Sequence, residues 1–291
     1  MSGAGAAAIR TRQIGEPDIP AVADLLARGF GKRPRRFWLH VLEALRDHPA
    51  PAELPRFGYM MESGGAAVGA LLMISSRLRS GDATTVRCNV SSWFVAPEFR
   101  SYASLFAARA LSHKNVTYLN ITPAPHTVPI VRAMGYSQYS RGVFVAAPAL
   151  QSRSGSEPAR VIRVGERPPE GIDPVEHELL LKHAGYGCFS LWCMAGEQAY
   201  PFILRPRIHK GIVPSVQLVY CRDIDDFVRF AGPIGRFLAL RGRPFVLIDS
   251  NGPICGLRGM YFDDRMPKYF KGPDRPRLGD LAYTEAAMFG V

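Results

Sequence analysis

The segment VAPEFRSYASLFAARAL, Val95 to Leu111, sets a strand end, a Pro-Glu turn, Arg100 and an apolar-periodic run in immediate succession. A helix N-terminus exposes unpaired N–H groups and carries partial positive charge, so this order suits a bound phosphate. Such cradles are usually rich in glycine. Here Ser101, Tyr102, Ala103, Ser104 and Leu105 follow the arginine. Two readings stand: a phosphate site whose glycines are replaced by small and apolar residues, or a helix start that binds nothing.

Other side chains offer proton-transfer or nucleophilic chemistry. His126, in the loop TPAPHT, carries an imidazole that suits a proton relay, or is a surface histidine. Asn120, at the end of the preceding apolar run NVTYLNI, could position an acceptor or pair with the following backbone. Cys88 would need an adjacent base to act as a nucleophile, and none is visible. The five cysteines (Cys88, Cys188, Cys193, Cys221, Cys255) have no C-x-x-C spacing, which argues against zinc and against a disulfide framework. They read as buried thiols in a reducing compartment. Asp263 and Asp264 lack the further ligands that calcium needs; the stretch Tyr261–Gly272 reads as a surface loop. No metal is expected.

The net charge of +11 is uneven. Residues 1–150 hold 17 Lys and Arg against 9 Asp and Glu, and residues 151–291 hold 19 against 16. The basic first half, densest at Lys32, Arg33, Arg35 and Arg36, favours an anionic partner or is a solvated face. No nucleic-acid motif accompanies it, so nucleic acid is not the expected partner. The N-terminal residues lack the pattern of a signal peptide, and no stretch approaches the roughly 18 apolar residues of a membrane span. A cytoplasmic protein with no membrane span is the expectation.

These residues must be held by regular elements. AIRTRQI alternates as a strand; two helices follow, one with Asp18 as cap and one through PRRFWLHVLEALRDH. His40 and His48, on the second, read as surface histidines. Gly64-Gly65 closes a hairpin, VRCNVSSWFVA is a strand, and the helix after Arg100 should turn Leu105, Ala108 and Leu111 inward. A short helix stops at Gly135, and YSRGVFVAA closes this half as a strand. LQSRSGSEPA reads as a linker. The second half repeats the order of elements, with a hairpin at Gly196-Glu197, a strand and helix through SVQLVYCRDIDDFVRFAGPIGRFLAL, MPKYFKG in the place of the short helix, and LAYTEAAMF as a last strand. The expected domains are 1–149 and 161–291, joined by a linker over 150–160.

Residues 8 to 147 resemble the GNAT superfamily of acyl-CoA N-acyltransferases. The match rests on a strand followed by two helices, a hairpin, and WFVAPEFRSYASLFAARAL, where Val95, Pro97, Glu98, Phe99 and Arg100 fit the family's V-x-P-E-Y-R-G-x-G-x-G. Ala103 and Leu105 depart from it. Arg132, Met134, Gly135 and Tyr136 fall on a second family motif, with Val131 at the position of its frequent general-acid tyrosine. The resemblance implies an α+β fold of tandem GNAT-like domains, each a mixed, mostly antiparallel twisted sheet flanked by helices. It implies an N-acyltransferase that takes a coenzyme A thioester, acetyl or longer, or an acyl carrier protein as donor, and a small amine or anionic molecule as acceptor. The alternative is a non-catalytic binding protein of the same fold. The backbone of Phe94 and Val95 would pair with the pantetheine arm, and Arg100 to Leu105 would hold the pyrophosphate. His126 and Asn120 are the catalytic candidates. Asp223, Asp225 and Asp226 at the matching helix start of the second half would repel a pyrophosphate, so that copy is expected to lack the donor site.

Overall fold

A computed structural model describes residues 8–80, 83–151, 159–165, 171–209 and 213–290. Most of the expected linker, residues 152–158, lies outside the described residues. The strands in chain order are β1 (Ile9–Gln13), β2 (Gly58–Ser63), β3 (Ala66–Ser80), β4 (Ala83–Val95), β5 (Val116–Asn120), β6 (Ser137–Ser140), β7 (Gly142–Ala146), β8 (Arg160–Arg163), β9 (Phe189–Ala195), β10 (Gln198–His209), β11 (Val213–Cys221), β12 (Phe245–Ser250), β13 (Gly259–Phe262) and β14 (Lys268–Lys271). The helices are α1 (Ile19–Gly29), α2 (Arg35–Asp47), α3 (Ala103–Ala110), α4 (Val128–Ala133), α5 (Pro174–Gly185), α6 (Ile224–Arg229), α7 (Ala231–Ala239) and α8 (Glu285–Met288). The strands form two mixed sheets of seven, each flanked by helices, an α+β architecture.

The first compact unit comprises residues 1–120, 129–135 and 271–274. Its strands β1-β2-β3-β4 pair antiparallel in order, and β5 joins β4 in parallel. Gly64 and Gly65 both adopt positive φ in the β2–β3 turn, as that dipeptide requires. Helices α1 and α2 pack together and α1 covers β3. Their buried faces are Val22, Leu25 and Leu26 on α1 and Trp38, Val41, Leu42 and Leu45 on α2, spaced at the helical period. Asp18 does not cap α1; its carboxylate takes the Arg12 guanidinium instead. His48 is buried, not a surface residue: its Nε2 lies 3.0 Å from both the Ser75 carbonyl and Ser76 Oγ. Residues from the chain's far end complete this unit. Asp274 N donates to Thr117 Oγ1 and Lys271 Nζ donates to the Met134 carbonyl.

The second unit comprises residues 121–128, 136–270 and 275–291. It holds a complete sheet in the order β13-β7-β12-β11-β10-β9-β8, with β11 and β12 the parallel pair. Strand β7, which the sequence puts at the end of the first domain, lies in this sheet between β12 and β13. Its core joins Phe144, Leu191, Phe202, Leu204, Leu218, Phe227, Phe230, Ile234 and Ile248. The Gly196 turn and the Asp223 cap of α6 stand as expected, Asp223 Oδ1 accepting from Asp225 N.

Four further expectations fail here. The stretch Tyr261–Gly272 is no surface loop: it ends β13 and supplies β14, where Lys268 and Tyr269 are buried. Within MPKYFKG, Lys268–Lys271 is strand and not helix: it pairs antiparallel with β6, and Lys268 finds Asp249 in the interior. LAYTEAAMF is no strand; α8 begins at Glu285. Cys255 is exposed, while the other four cysteines are buried.

Candidate functional site

The central feature of the first unit is the parting of β4 from β5. The two strands pair from Val86↔Val116 to Asn89↔Leu119, and β4 then continues to Val95, paired among the described strands with β3. Asn89 sits at the fork. Its Nδ2 donates to the Val90 carbonyl at 3.2 Å and the Leu119 carbonyl at 3.3 Å, so one buried carboxamide serves both diverging strands. Just beyond, two residues of β4, Ser92 and Trp93, oppose the single Leu71 of β3. This is a β-bulge, with Ser92 at φ +53°. A bulge adds twist and bends its strand, which steers Phe94 and Val95 away from the line of β5.

Phe94 and Val95, assigned to the donor arm by resemblance, remain paired with Ala70 and Gly69 on the β3 side. The Phe94 ring packs 6.2 Å from Phe30, which in turn lies 5.2 Å from Trp38. Gly29 makes room for that ring, since a Cβ there would overlap it. Gly29→Val is therefore expected to displace Phe94 and to cost about 1–3 kcal/mol by overpacking, measurable as a lower urea midpoint at unchanged m-value.

After Val95 the chain does not open into a loop. Pro97–Tyr102 forms a 3-10 helix that runs directly into α3. The helical run thus begins at Pro97, before Arg100, and its amides turn inward: Phe99 N donates to the Ala96 carbonyl and Ala103 N to the Arg100 carbonyl. The Ala103 amide, expected among the phosphate donors, is engaged. Arg100, Ser101, Tyr102 and Ser104 all expose their side chains, so the turn offers a guanidinium and three hydroxyls to solvent.

Leu105 is 72% exposed and Ala108 is also exposed, whereas Phe106, Ala107 and Ala110 are buried. The expected inward face is therefore displaced by one residue, and only Leu111 of the three predicted positions faces the core. The bulky Phe106 and the small Ala107 and Ala110 fit closely against the sheet and claim that side.

Asn120 is the last residue of β5 and is half-buried in the first unit. His126 lies on the exposed 3-10 turn Pro125–Thr127, counted with the second unit. The two catalytic candidates thus fall in different units. Val131, at the tyrosine position of the family motif, is 2% exposed and part of the core. Cys88 is fully buried, and desolvation pushes its thiol up to about 12, which suits an inert core residue. Among the described residues no cluster of His, Cys, Asp or Glu side chains could hold a metal ion, and no helix is long and apolar enough to cross a membrane.

The sequence reading missed Asn89 and the Ser92 bulge. The first looks like any polar residue in a strand, and a serine at positive φ has no compositional mark. A pairing count between β4 and its two neighbours would be needed to find either.

No family model matches the sequence, and no curated protein matches it. Solved structures do. A GCN5-related N-acetyltransferase from Anabaena variabilis superposes with a TM-score of 0.57 at 12% identity, over 90% of this chain and 72% of that one. One from Kribbella flavida gives 0.53 at 16%, over 92% and 72%, and Eis1 from Mycobacterium abscessus gives 0.51 at 12%, over 94% and 74%. At these identities the likeness is one of fold. The chain has the GCN5-related N-acetyltransferase fold, carried twice along one polypeptide.

Proposed function

We propose that the first unit is an N-acyltransferase that moves an acyl group from a coenzyme A thioester to a small amine. The observation that carries this reading is the parting of β4 from β5 past Asn89, where β4 leads through the Ser92 bulge straight to the exposed polar turn at Arg100. An extended chain bearing amides, such as a pantetheine arm, can pair with such an edge, and a diphosphate can meet Arg100, Ser101, Tyr102 and Ser104 beyond it. The fit is to side chains more than to amides, because the 3-10 helix keeps its amides for itself.

The thioester supplies an acyl carbon open to attack by a neutral amine. The C–N bond forms, the C–S bond breaks, and a proton passes from nitrogen to the thiolate. The β4 edge orients the donor, and orientation alone can supply much of the acceleration. His126 and Asn120 are proposed to handle the proton and the acceptor, the proton otherwise moving through water.

A second reading, donor or metabolite binding without turnover, draws support from buried Val131 and from the exposed, bulky Leu105 at the start of α3. Calorimetry with acetyl-CoA and longer acyl-CoA, followed by thiol release in the presence of an amine panel, separates the two. Donor binding with thiol release is the expected result. Binding without release from any amine favours the second reading, and no binding to any donor refutes both the transferase and the donor-binding readings.

A further inference from the structure

The second unit repeats the fork of the first, and its outcome differs. Strands β11 and β12 pair in parallel from Ser215↔Phe245 to Gln217↔Leu247, and then β11 runs on without β12 to Cys221. Gln217, like Asn89, is a buried carboxamide at the last paired position, and its Nε2 lies 3.4 Å from Asp249 Oδ1. A register shift against β10 leaves Val219 as the extra residue, the counterpart of the β4 bulge. Counted back from the strand end, Val219 and Cys221 stand where Trp93 and Val95 stand in β4.

This second edge is occupied by the chain itself. Leu281 N donates to the Val219 carbonyl at 2.7 Å, Cys221 N donates to the Gly279 carbonyl at 3.0 Å, and Tyr220 and Asp280 form an antiparallel bridge. Arg277 Nη1 closes one end on the Cys221 carbonyl at 2.6 Å. Past the other end, Thr284 Oγ1 donates to the Leu281 carbonyl, Tyr283 N donates to His183 Nε2, and Arg205 Nη1 donates to the Ala287 carbonyl. Gly279, Leu281 and Ala282 are buried. Gly279 is required at φ +74°, where a Cβ would lie 2.8 Å from Cys221 Sγ and 3.0 Å from Ile224 Cδ1. Carboxylates also crowd the start of α6, where burial and the nearby Asp223 hold the Asp226 carboxyl above its ordinary range.

We propose that residues 279–281 are a permanent, covalently tethered occupant of the second unit's donor groove, so that the chain binds one acyl-CoA and not two. The site count rests on the donor reading of the first unit; the occupancy of the second groove does not. A strand held by two main-chain bonds, a side-chain clamp at one end and a buried anchor at the other has an effective concentration that a free ligand cannot match.

Hydrogen exchange on the full chain, with and without saturating acetyl-CoA, tests both parts. Slow exchange at Cys221 and Leu281, unchanged by donor, is expected, alongside donor-induced protection confined to the 90–105 region and one donor per chain by calorimetry. Fast exchange at Cys221 and Leu281 without donor, a donor-induced change at 213–221 or 279–281, or two donors per chain overturns the proposal. Absence of any donor binding defeats the function proposed for the first unit, while slow donor-free exchange at 219–221 and 279–281 still upholds the occupancy. Gly279→Val, if it folds, should raise exchange at Cys221 and Leu281 at least tenfold while leaving β9 unchanged; unaltered exchange at those two amides also overturns the proposal.

Discussion

Lys268→Met is expected to destabilise the protein by about 3–5 kcal/mol, because it strands a carboxylate in the interior. Lys268 Nζ lies 2.7 Å from Asp249 Oδ1, and the two side chains are 2% and 3% exposed. The lysine also donates to the Met266 carbonyl at 3.2 Å, and Gln217 reaches the same carboxylate oxygen. Removing the cation leaves the Asp249 carboxylate facing Gln217 Nε2, a weak neutral donor at 3.4 Å. Replacing both partners with apolar residues of similar volume, Lys268→Met with Asp249→Leu, should recover most of the loss, since two desolvation costs vanish with the attraction. Urea titrations of the wild type, both single variants and the double variant form the cycle that measures this coupling. A single-variant loss under 1 kcal/mol would show that water reaches the pair.

The second large effect is expected at the exposed turn, on binding and not on stability. Arg100→Glu should weaken acetyl-CoA at least tenfold, a loss of about 1.4 kcal/mol or more, because it replaces the one guanidinium of the turn with a charge that repels a diphosphate. The residue is exposed, so the thermal midpoint should move little. Leu105→Gly should act in the opposite sense and tighten binding a few-fold, since it removes an isobutyl group that projects into solvent from the first turn of α3, next to Ser104. The variant will also lose helix stability, about 1 kcal/mol for glycine in a helix, so affinity and midpoint must be read separately. Equal affinities for wild type and Arg100→Glu would place the diphosphate elsewhere or nowhere.

Much of the architecture was legible from short-range cues. Gly64-Gly65, Gly196 and Gly135 mark turns and a helix end that need positive φ, and all adopt it. Asp223 reads as a cap and is one. What escaped depends on contacts distant in sequence. YSRGVFVAA looks like a strand and is one, yet its alternation cannot say which sheet receives β7. His48 sits on an amphipathic helix like any surface histidine, and only β3 arriving from 27 residues away buries it. LAYTEAAMF is apolar enough for a strand, but only Leu281 donates to the Val219 carbonyl, beside the Tyr220–Asp280 bridge, and Glu285–Met288 coil into α8. At the candidate site the WFVAPEFR motif marks the turn that joins β4 to α3. The direction of Leu105 did not follow from it, because a helix of eight residues fits two apolar faces one position apart and packing against the sheet chooses between them.

The trading of short segments, β7 to the second unit and residues 271–274 to the first, has a consequence for biosynthesis. A ribosome that has made the first 150 residues has not yet supplied Asp274 to Thr117, and it has already released a strand that must wait for β12 and β13. Neither copy can mature as an independent vectorial unit, so severing the gene at its apparent midpoint would yield two incomplete polypeptides in place of two modules.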